Sequence, residues 1–335
     1  MSDKYRHRNK LLHIIKNLTL KSVPTQKKVQ AGIKKLENIE WPKFHDGQNI
    51  DEFIEHVEKT ISSEIGLFPN AFMPLEPRHF TFGIFRARPV DNFNNMNLFA
   101  EHSYPPPHVT KIGRCNFPKY PVFYGSNNPI TALVEAIQSG DFKGRKYCIS
   151  SWEIIKSSDK FFLENFLHAP LHERNFFSQL ADMQIAKLNQ TFENKLTKNQ
   201  ELGLKEYFKF IDNQFIEDKS YSLSASLAHR RIYGKHNYCT DILIYPSVQT
   251  KLQGVNFAIN PNFVDNHMKV KRFYILELDS YDSEKGLVKV TIHKYGEILK
   301  NTIFWKNLED GDETYRKFMT EDFKGFIQSE SKVYK

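Results

Sequence analysis

Cysteine is scarce in this chain: Cys115, Cys148 and Cys239 are the only three among 335 residues. An odd count at such wide spacing excludes both a disulfide framework and a CxxC zinc knuckle, and it suits a reducing compartment. No apolar run approaches the roughly 18 residues that cross a bilayer, and the opening MSDKYRHRNK has no apolar signal core. The sequence therefore reads as cytoplasmic, with no membrane partner. Internal repeats and low-complexity tracts are absent too. What remains is ordinary globular composition, 40% hydrophobic and 26% charged, long enough to bury a substantial core.

Charge of one sign is confined to one segment. The formal net charge is +8, yet residues 1–35 hold ten Lys/Arg against Asp3 alone, a local +9, which leaves the rest at −1. A near-neutral body offers no electrostatic footprint for phosphate backbones, so a nucleic-acid partner is not expected there. Only the basic arm supplies one.

Periodicity divides the chain. A polar, basic and flexible arm covers 1–26, and a helical segment covers 27–79: Val29, Ile33 and Leu36 begin helical spacing, and Asn49-Ile-Asp-Glu52 resembles a capping box. Phe53, Ile54, Val57, Ile61 and Ile65 then make one apolar stripe, which predicts a helix over 50–65. The Pro-bearing FPNAFMPLEPRHF reads as a connector. From Phe80 the pattern becomes strand-like in FTFGIFRARPV and again in KYPVFYGS, residues 119–126. Asn128-Pro129 opens a helix whose buried face is Ile130, Leu133, Val134 and Ile137, whose end is Gly140, and on which Glu135 lies opposite that face. Helical periodicity dominates about 155–235. Strands resume at 241–245, 270–279 and 287–295, the last two forming a hairpin, and 301–335 is read as an extension packing on the core.

Four short motifs occur in order: Phe85-Arg86-Ala87-Arg88; Gly113-Arg114-Cys115-Asn116; Val122-Phe123-Tyr124 running into Ala132-Leu133-Val134-Glu135; and Tyr245-Pro246-Ser247-Val248 followed by Gly254-Val255-Asn256-Phe257-Ala258-Ile259-Asn260-Pro261. Together they resemble the RES family, named for an arginine, a glutamate and a serine, whose members are NAD-degrading toxins of bacterial toxin–antitoxin systems. The resemblance covers about residues 80–150 and 238–280. It implies an α+β fold with an ADP-ribosyltransferase-like split β-sheet core at 80–300, here carrying the N-terminal helical segment and a large α-helical insertion. Glu135 and Ser247 stand 112 positions apart, far more than a compact family core needs.

The chemistry of those residue types agrees with that implication. Breaking the nicotinamide–ribose bond builds positive charge on the sugar, and a carboxylate beside it stabilises the transition state. Glu135 is the candidate. Arg114 suits the dinucleotide phosphates because a guanidinium forks onto two oxygens. The family's first arginine maps to Arg86, with Arg88 on the same strand face as the other candidate. Tyr124 offers a ring to stack on nicotinamide and a hydroxyl to position it, and Ser247 a hydroxyl for the nicotinamide amide or its ribose. Asn256 completes the expected substrate-binding set. No GxSxG elbow surrounds Ser247, which excludes an acyl-transfer nucleophile. His168 and His172 have metal-like spacing, but Pro170 between them breaks the helix that spacing requires, so no metal is expected. NAD enters as substrate, with no resident cofactor.

The expectation is thus an NAD glycohydrolase or NAD phosphorylase that depletes NAD and arrests growth. A cognate antitoxin or immunity protein and a homo-oligomer are the partners that the resemblance and the insertion suggest. Transfer of ADP-ribose to a protein is the alternative within the same chemistry, and a non-enzymatic nucleic-acid-binding module using the arm is the alternative outside it.

Overall fold

The computed structural model describes residues 23–66, 73–137, 140–157, 159–234, 239–282, 287–309 and 312–324. The fold is α+β, with eight helices and ten strands among the described residues. Residues 1–22, most of the segment read as the basic arm, and residues 283–286, between the two strands read as a hairpin, lie outside them.

Helices α1 (Gln26–Leu36) and α2 (Ile50–Ile65) come first. The Asn49 side chain accepts from Glu52 N at 3.3 Å and starts α2 where the sequence placed it. All five residues of the apolar stripe are buried. At about 1.5–3 kcal/mol for each large apolar side chain removed from water, that face holds a helix which propensity alone would leave marginal.

Strands β1 (Met73–Leu75), β2 (Ile84–Pro89) and β3 (Phe123–Ser126) follow, then helix α3 (Pro129–Ile137) and strands β4 (Lys146–Ile154) and β5 (Phe161–Asn165). Three expectations are corrected here. The Pro-bearing connector contains β1, which pairs with β5. The strand expected from Phe80 begins only at Ile84, because Phe80 sends its ring into the core against Phe161 and Phe257, centroids 5.9 and 5.8 Å away. The stretch read as helical holds β5 in addition to helices α4 (Gln179–Thr191), α5 (Lys198–Glu217) and α6 (Ser222–Tyr233). A buried five-residue strand in which only Phe161, Phe162 and Leu163 are apolar is short enough to be absorbed into a helical pattern when only periodicity is read.

The chain ends with β6 (Ile242–Pro246), β7 (Val255–Ile259), α7 (Pro261–His267), β8 (Met268–Asp282), β9 (Leu287–Leu299), β10 (Thr302–Asn307) and α8 (Glu313–Phe323). Residues beyond 300 add the edge strand β10 beside β9, and α8, whose Phe323 packs edge-on against Tyr274 at 5.4 Å. Strand order is β1-β5-β6-β7-β3-β2-β4-β8-β9-β10. Along β6 the side chains alternate by the period of two: Ile242 and Ile244 join the core that contains Trp152 and Phe257, while Leu243 and Tyr245 face the core shared with α2 and α6.

One joint in this sheet matters for function. β2 and β3 share a single residue pair, Phe85 with Ser126, whereas β2 pairs with β4 over its whole length. The sheet therefore opens between β2 and β3. Helix α3 closes one side of that opening, and Gly254 allows its approach, since a Cβ there would fall 2.3 Å from Thr131 Oγ1.

The arm read as 1–26 meets the body before its end. Val23 is buried against α5, its carbonyl accepts from Gln200 Nε2 at 3.2 Å, and Gln26 N donates to Asn199 Oδ1. Deleting residues 1–26 should therefore lower the melting temperature by about 2–5 °C more than deleting 1–22, because only the longer cut removes the Val23 anchor. Equal melting curves for the two truncations would contradict this.

Candidate active site

The opening between β2 and β3 is a cavity of about 340 Å³, within the size range of small-molecule sites. Arg86, Arg114, Tyr124, Glu135, Tyr221 and Asn256 line it. Arg88 and Ser247 do not.

Glu135 is placed by α3. The Asn128 side chain caps the helix, accepting from Thr131 N at 2.7 Å, and Pro129 occupies the first turn, where a missing N–H costs nothing. Residues Pro129 to Val134 are all buried, and Glu135 follows them half-buried at the cavity wall. Its Oε1 accepts from Ser247 Oγ at 2.6 Å and from Asn256 Nδ2 at 2.8 Å. Among the described residues Oε2 has no hydrogen-bond partner. Two donors on one oxygen fix the carboxylate's rotation and leave the other oxygen for a ligand.

Ser247 thus holds the carboxylate, which differs from the substrate contact expected of its hydroxyl. It is fully buried at the end of β6, where its N donates to Gly254 O at 2.9 Å and its Oγ accepts from Thr250 N. Asn256 is held in turn by Ser126, whose hydroxyl donates to Asn256 Oδ1 at 2.7 Å. The Glu135 carboxylate assigns the amide's orientation, because an oxygen that only accepts must face the NH₂, which leaves Asn256 Oδ1 toward the Ser126 hydroxyl. Ser126 was not picked out from the sequence; its signal was a place two residues after Tyr124, on the same strand face.

Arg86 and Arg88 separate clearly. The Arg86 guanidinium donates to Tyr124 O at 2.9 Å, across the gap where the β2–β3 ladder stops, and lies 5.4 Å from the Phe123 ring centroid. Burial, and secondarily the charge of Arg88, pushes its pKa down to about 10, which leaves it cationic at neutral pH. Among the described residues its buried Nε has no partner. Arg88 instead donates to the carbonyls of Glu101 and Asn92 and stacks on Phe93, away from the cavity.

Arg114 sits in a tight turn in which Gly113 N donates to Asn116 O at 2.9 Å and Asn116 N returns the bond to Gly113 O. Its guanidinium caps the end of α5, donating to the carbonyls of Phe215, Ile216 and Asp218. Tyr124 fastens this turn to β3. Its hydroxyl donates to Asn116 Oδ1 at 2.8 Å and accepts from Cys115 N at 2.9 Å, and burial raises its pKa well above the ordinary tyrosine value. The hydroxyl is therefore committed to the protein, and what Tyr124 offers the cavity is its ring. Gly113 is needed for this contact: a Cβ would lie 2.6 Å from Asn116 Oδ1 and 3.0 Å from the Tyr124 hydroxyl. Cys115 is wholly buried beside it, its thiol pushed up by desolvation.

His168 lies outside this site, with Nδ1 3.1 Å from the buried Asp212 carboxylate. Among the described residues no group of three or more His, Cys, Asp or Glu could hold a metal ion, and no helix is long and apolar enough to cross a membrane.

The α+β fold is the one that the sequence motifs anticipated, and the family comparison agrees with it. The sequence model of the RES domain matches residues 84–278, more than half of the chain, and the protein belongs to the RES domain family. That family is associated with NAD-related toxin function. No curated protein and no solved structure matches the chain.

The Ser126–Asn256–Glu135 chain gives a direct expectation for whatever reaction Glu135 serves. Ser126→Ala frees the Asn256 amide to turn, and should lower kcat about tenfold with KM nearly unchanged, a loss of about 1.4 kcal/mol. Ser126→Thr keeps a hydroxyl and should retain most activity. Equal kcat in Ser126→Ala and wild type would show that Asn256 needs no such support.

Proposed function

We propose that the protein binds NAD in the β2–β3 opening and cleaves the bond between nicotinamide and ribose. The observation that carries this reading is the Glu135 carboxylate, fixed through one oxygen by Ser247 and Asn256 and presenting the other to a cavity of dinucleotide-compatible chemistry. The C1′–N1 bond breaks and its electron pair returns to the nicotinamide ring, which leaves neutral. The ribose carries the positive charge meanwhile, and Glu135 Oε2 lies where a fixed negative charge stabilises it. An oxygen nucleophile then adds to C1′. Water, which loses a proton, yields ADP-ribose, and inorganic phosphate yields the corresponding 1′′-phosphate. Arg86 and Arg114 supply cationic charge along the cavity for the pyrophosphate, and the Tyr124 ring is a wall for the nicotinamide. NAD is here a substrate, not a resident cofactor. In a cell such turnover depletes NAD and arrests growth, and a neutralising antitoxin is the partner this activity requires.

The test is to incubate the purified protein with NAD alone, with and without phosphate, and to identify the products. Release of nicotinamide without added protein is expected. No nicotinamide under either condition, but labelling of an added protein acceptor, would instead favour ADP-ribosyl transfer.

A further inference from the structure

The helical stretch between β5 and β6 reaches the cavity at one corner, between α5 and α6. Asp218 organises that corner. Its Oδ1 accepts from Ser220 N at 2.9 Å and Ser220 Oγ at 2.8 Å, while its Oδ2 accepts from Ser224 N at 2.8 Å and Ser224 Oγ at 3.0 Å. Four bonds to one carboxylate fix the residues between. Among them Tyr221 takes a left-handed conformation, φ 61° and ψ 5°, which is uncommon for a residue with a bulky side chain. Tyr221 also lines the cavity, and the Arg114 guanidinium lies 5.2 Å from its ring centroid.

The contacts along this wall have an order. Glu135 bonds Asn256, which is the β-ladder partner of Tyr245. Tyr245 packs on Phe215 at 5.4 Å, Phe215 lies 5.7 Å from the Arg114 guanidinium, and Arg114 lies over Tyr221. A basic group thus separates the carboxylate from an aromatic ring. A dinucleotide has the same sequence of chemistry, a scissile ribose, then a pyrophosphate, then a planar base.

We infer that Tyr221 is the stacking platform for the adenine of NAD, so that the helical stretch contributes the residue recognising the half of the substrate that does not react. This rests on the NAD reading above. Arg114 covers one face of the ring, and adenine takes the side facing the cavity. Stacking of a base on an aromatic side chain is worth about 1–3 kcal/mol by substitution, roughly 5- to 150-fold in affinity.

The experiment compares wild type, Tyr221→Phe and Tyr221→Asn, since Asn tolerates the left-handed backbone and removes only the ring. NAD and nicotinamide mononucleotide are the cleavage substrates, and calorimetric binding of ADP-ribose is the readout independent of cleavage. In Tyr221→Asn the KM for NAD and the Kd for ADP-ribose should rise at least tenfold. The kcat for NAD and the KM for nicotinamide mononucleotide should stay within about threefold, and Tyr221→Phe should resemble wild type. If NAD is cleaved but Tyr221→Asn binds ADP-ribose normally, or loses both substrates equally, the adenine assignment is wrong. If ADP-ribose binds in a Tyr221-dependent way and NAD is not cleaved, the platform stands and the cleavage reading falls. A wild type that neither cleaves NAD nor binds ADP-ribose overturns both.

Discussion

Glu135→Gln should leave a folded protein that has lost most NAD cleavage, by a factor of about 10²–10⁴ in kcat. The substitution is nearly isosteric. A glutamine oxygen in the Oε1 position can still accept from Ser247 Oγ and Asn256 Nδ2, so the bonds that seat the side chain survive. What disappears is the negative charge on the oxygen facing the cavity. An amide there places an N–H dipole of the wrong sign beside a ribose that becomes cationic, which destabilises the transition state more than the bound substrate. The kcat should therefore fall much more than KM rises. Nicotinamide release followed by chromatography, with circular dichroism and a melting curve to establish folding, measures both. Near-normal kcat in a folded Glu135→Gln protein would remove Glu135 from the chemistry.

Acid should destabilise the protein strongly between pH 6.5 and 4, through two buried histidines. His102 is 2% exposed, with Nε2 2.9 Å from Met96 O and its ring between Phe93 and Phe273. Burial pushes its pKa down to about 4, against the partly compensating Met96 carbonyl, and nearby Arg88 adds to the fall. His229 is 6% exposed among Phe117, Tyr120 and Tyr233, and burial likewise pushes it down to about 4. Both are protonated more readily in the unfolded chain, near pH 6.5, than in the folded one. Their contribution is therefore fully present above pH 6.5 and is lost as pH falls toward 4. At pH 4.5 the two together should cost about 5 kcal/mol, comparable to the whole stability of many domains. Asp212 and Asp322, whose carboxyls burial raises, act in the opposite direction as they take up protons. Urea midpoints at pH 7.5 and 4.5 test the balance, and His229→Phe, an aromatic in an aromatic nest, should remove about half of the histidine-linked loss. An equal loss of stability between pH 7.5 and 4.5 in His229→Phe and wild type would refute the assignment to His229.

The sequence by itself determined the local structure around the site. Asn49 and Asn128 announced two helix starts because a cap needs only a side chain and the backbone three residues on. The stripe from Phe53 to Ile65 and the apolar face around Leu133 fixed which sides of those helices are buried, since period 3.6 is a property of neighbouring residues. The motifs around Arg86, Arg114, Glu135 and Ser247 carried the family. β1 escaped because three residues give no period to read, and β5 because its short apolar run lies within a long helical pattern.

Only the tertiary structure decided what the site residues do to one another. Ser247 and Glu135 meet across 112 positions because β6 and β7 lie next to β3, an order no local pattern encodes. Arg86 and Arg88 are equivalent by strand period, and they part because β2 leaves β3 after one residue pair: Arg86 then reaches the Tyr124 carbonyl, while Arg88 is drawn to the carbonyls of Asn92 and Glu101. Ser126 and Tyr221 stood among ordinary polar and aromatic residues until packing placed one on the Asn256 amide and the other at the cavity wall. Caps and amphipathic faces are set by residues within a turn or two of each other, whereas the hydrogen bonds on Glu135 and the opening between β2 and β3 exist only once distant strands have taken their places in the sheet.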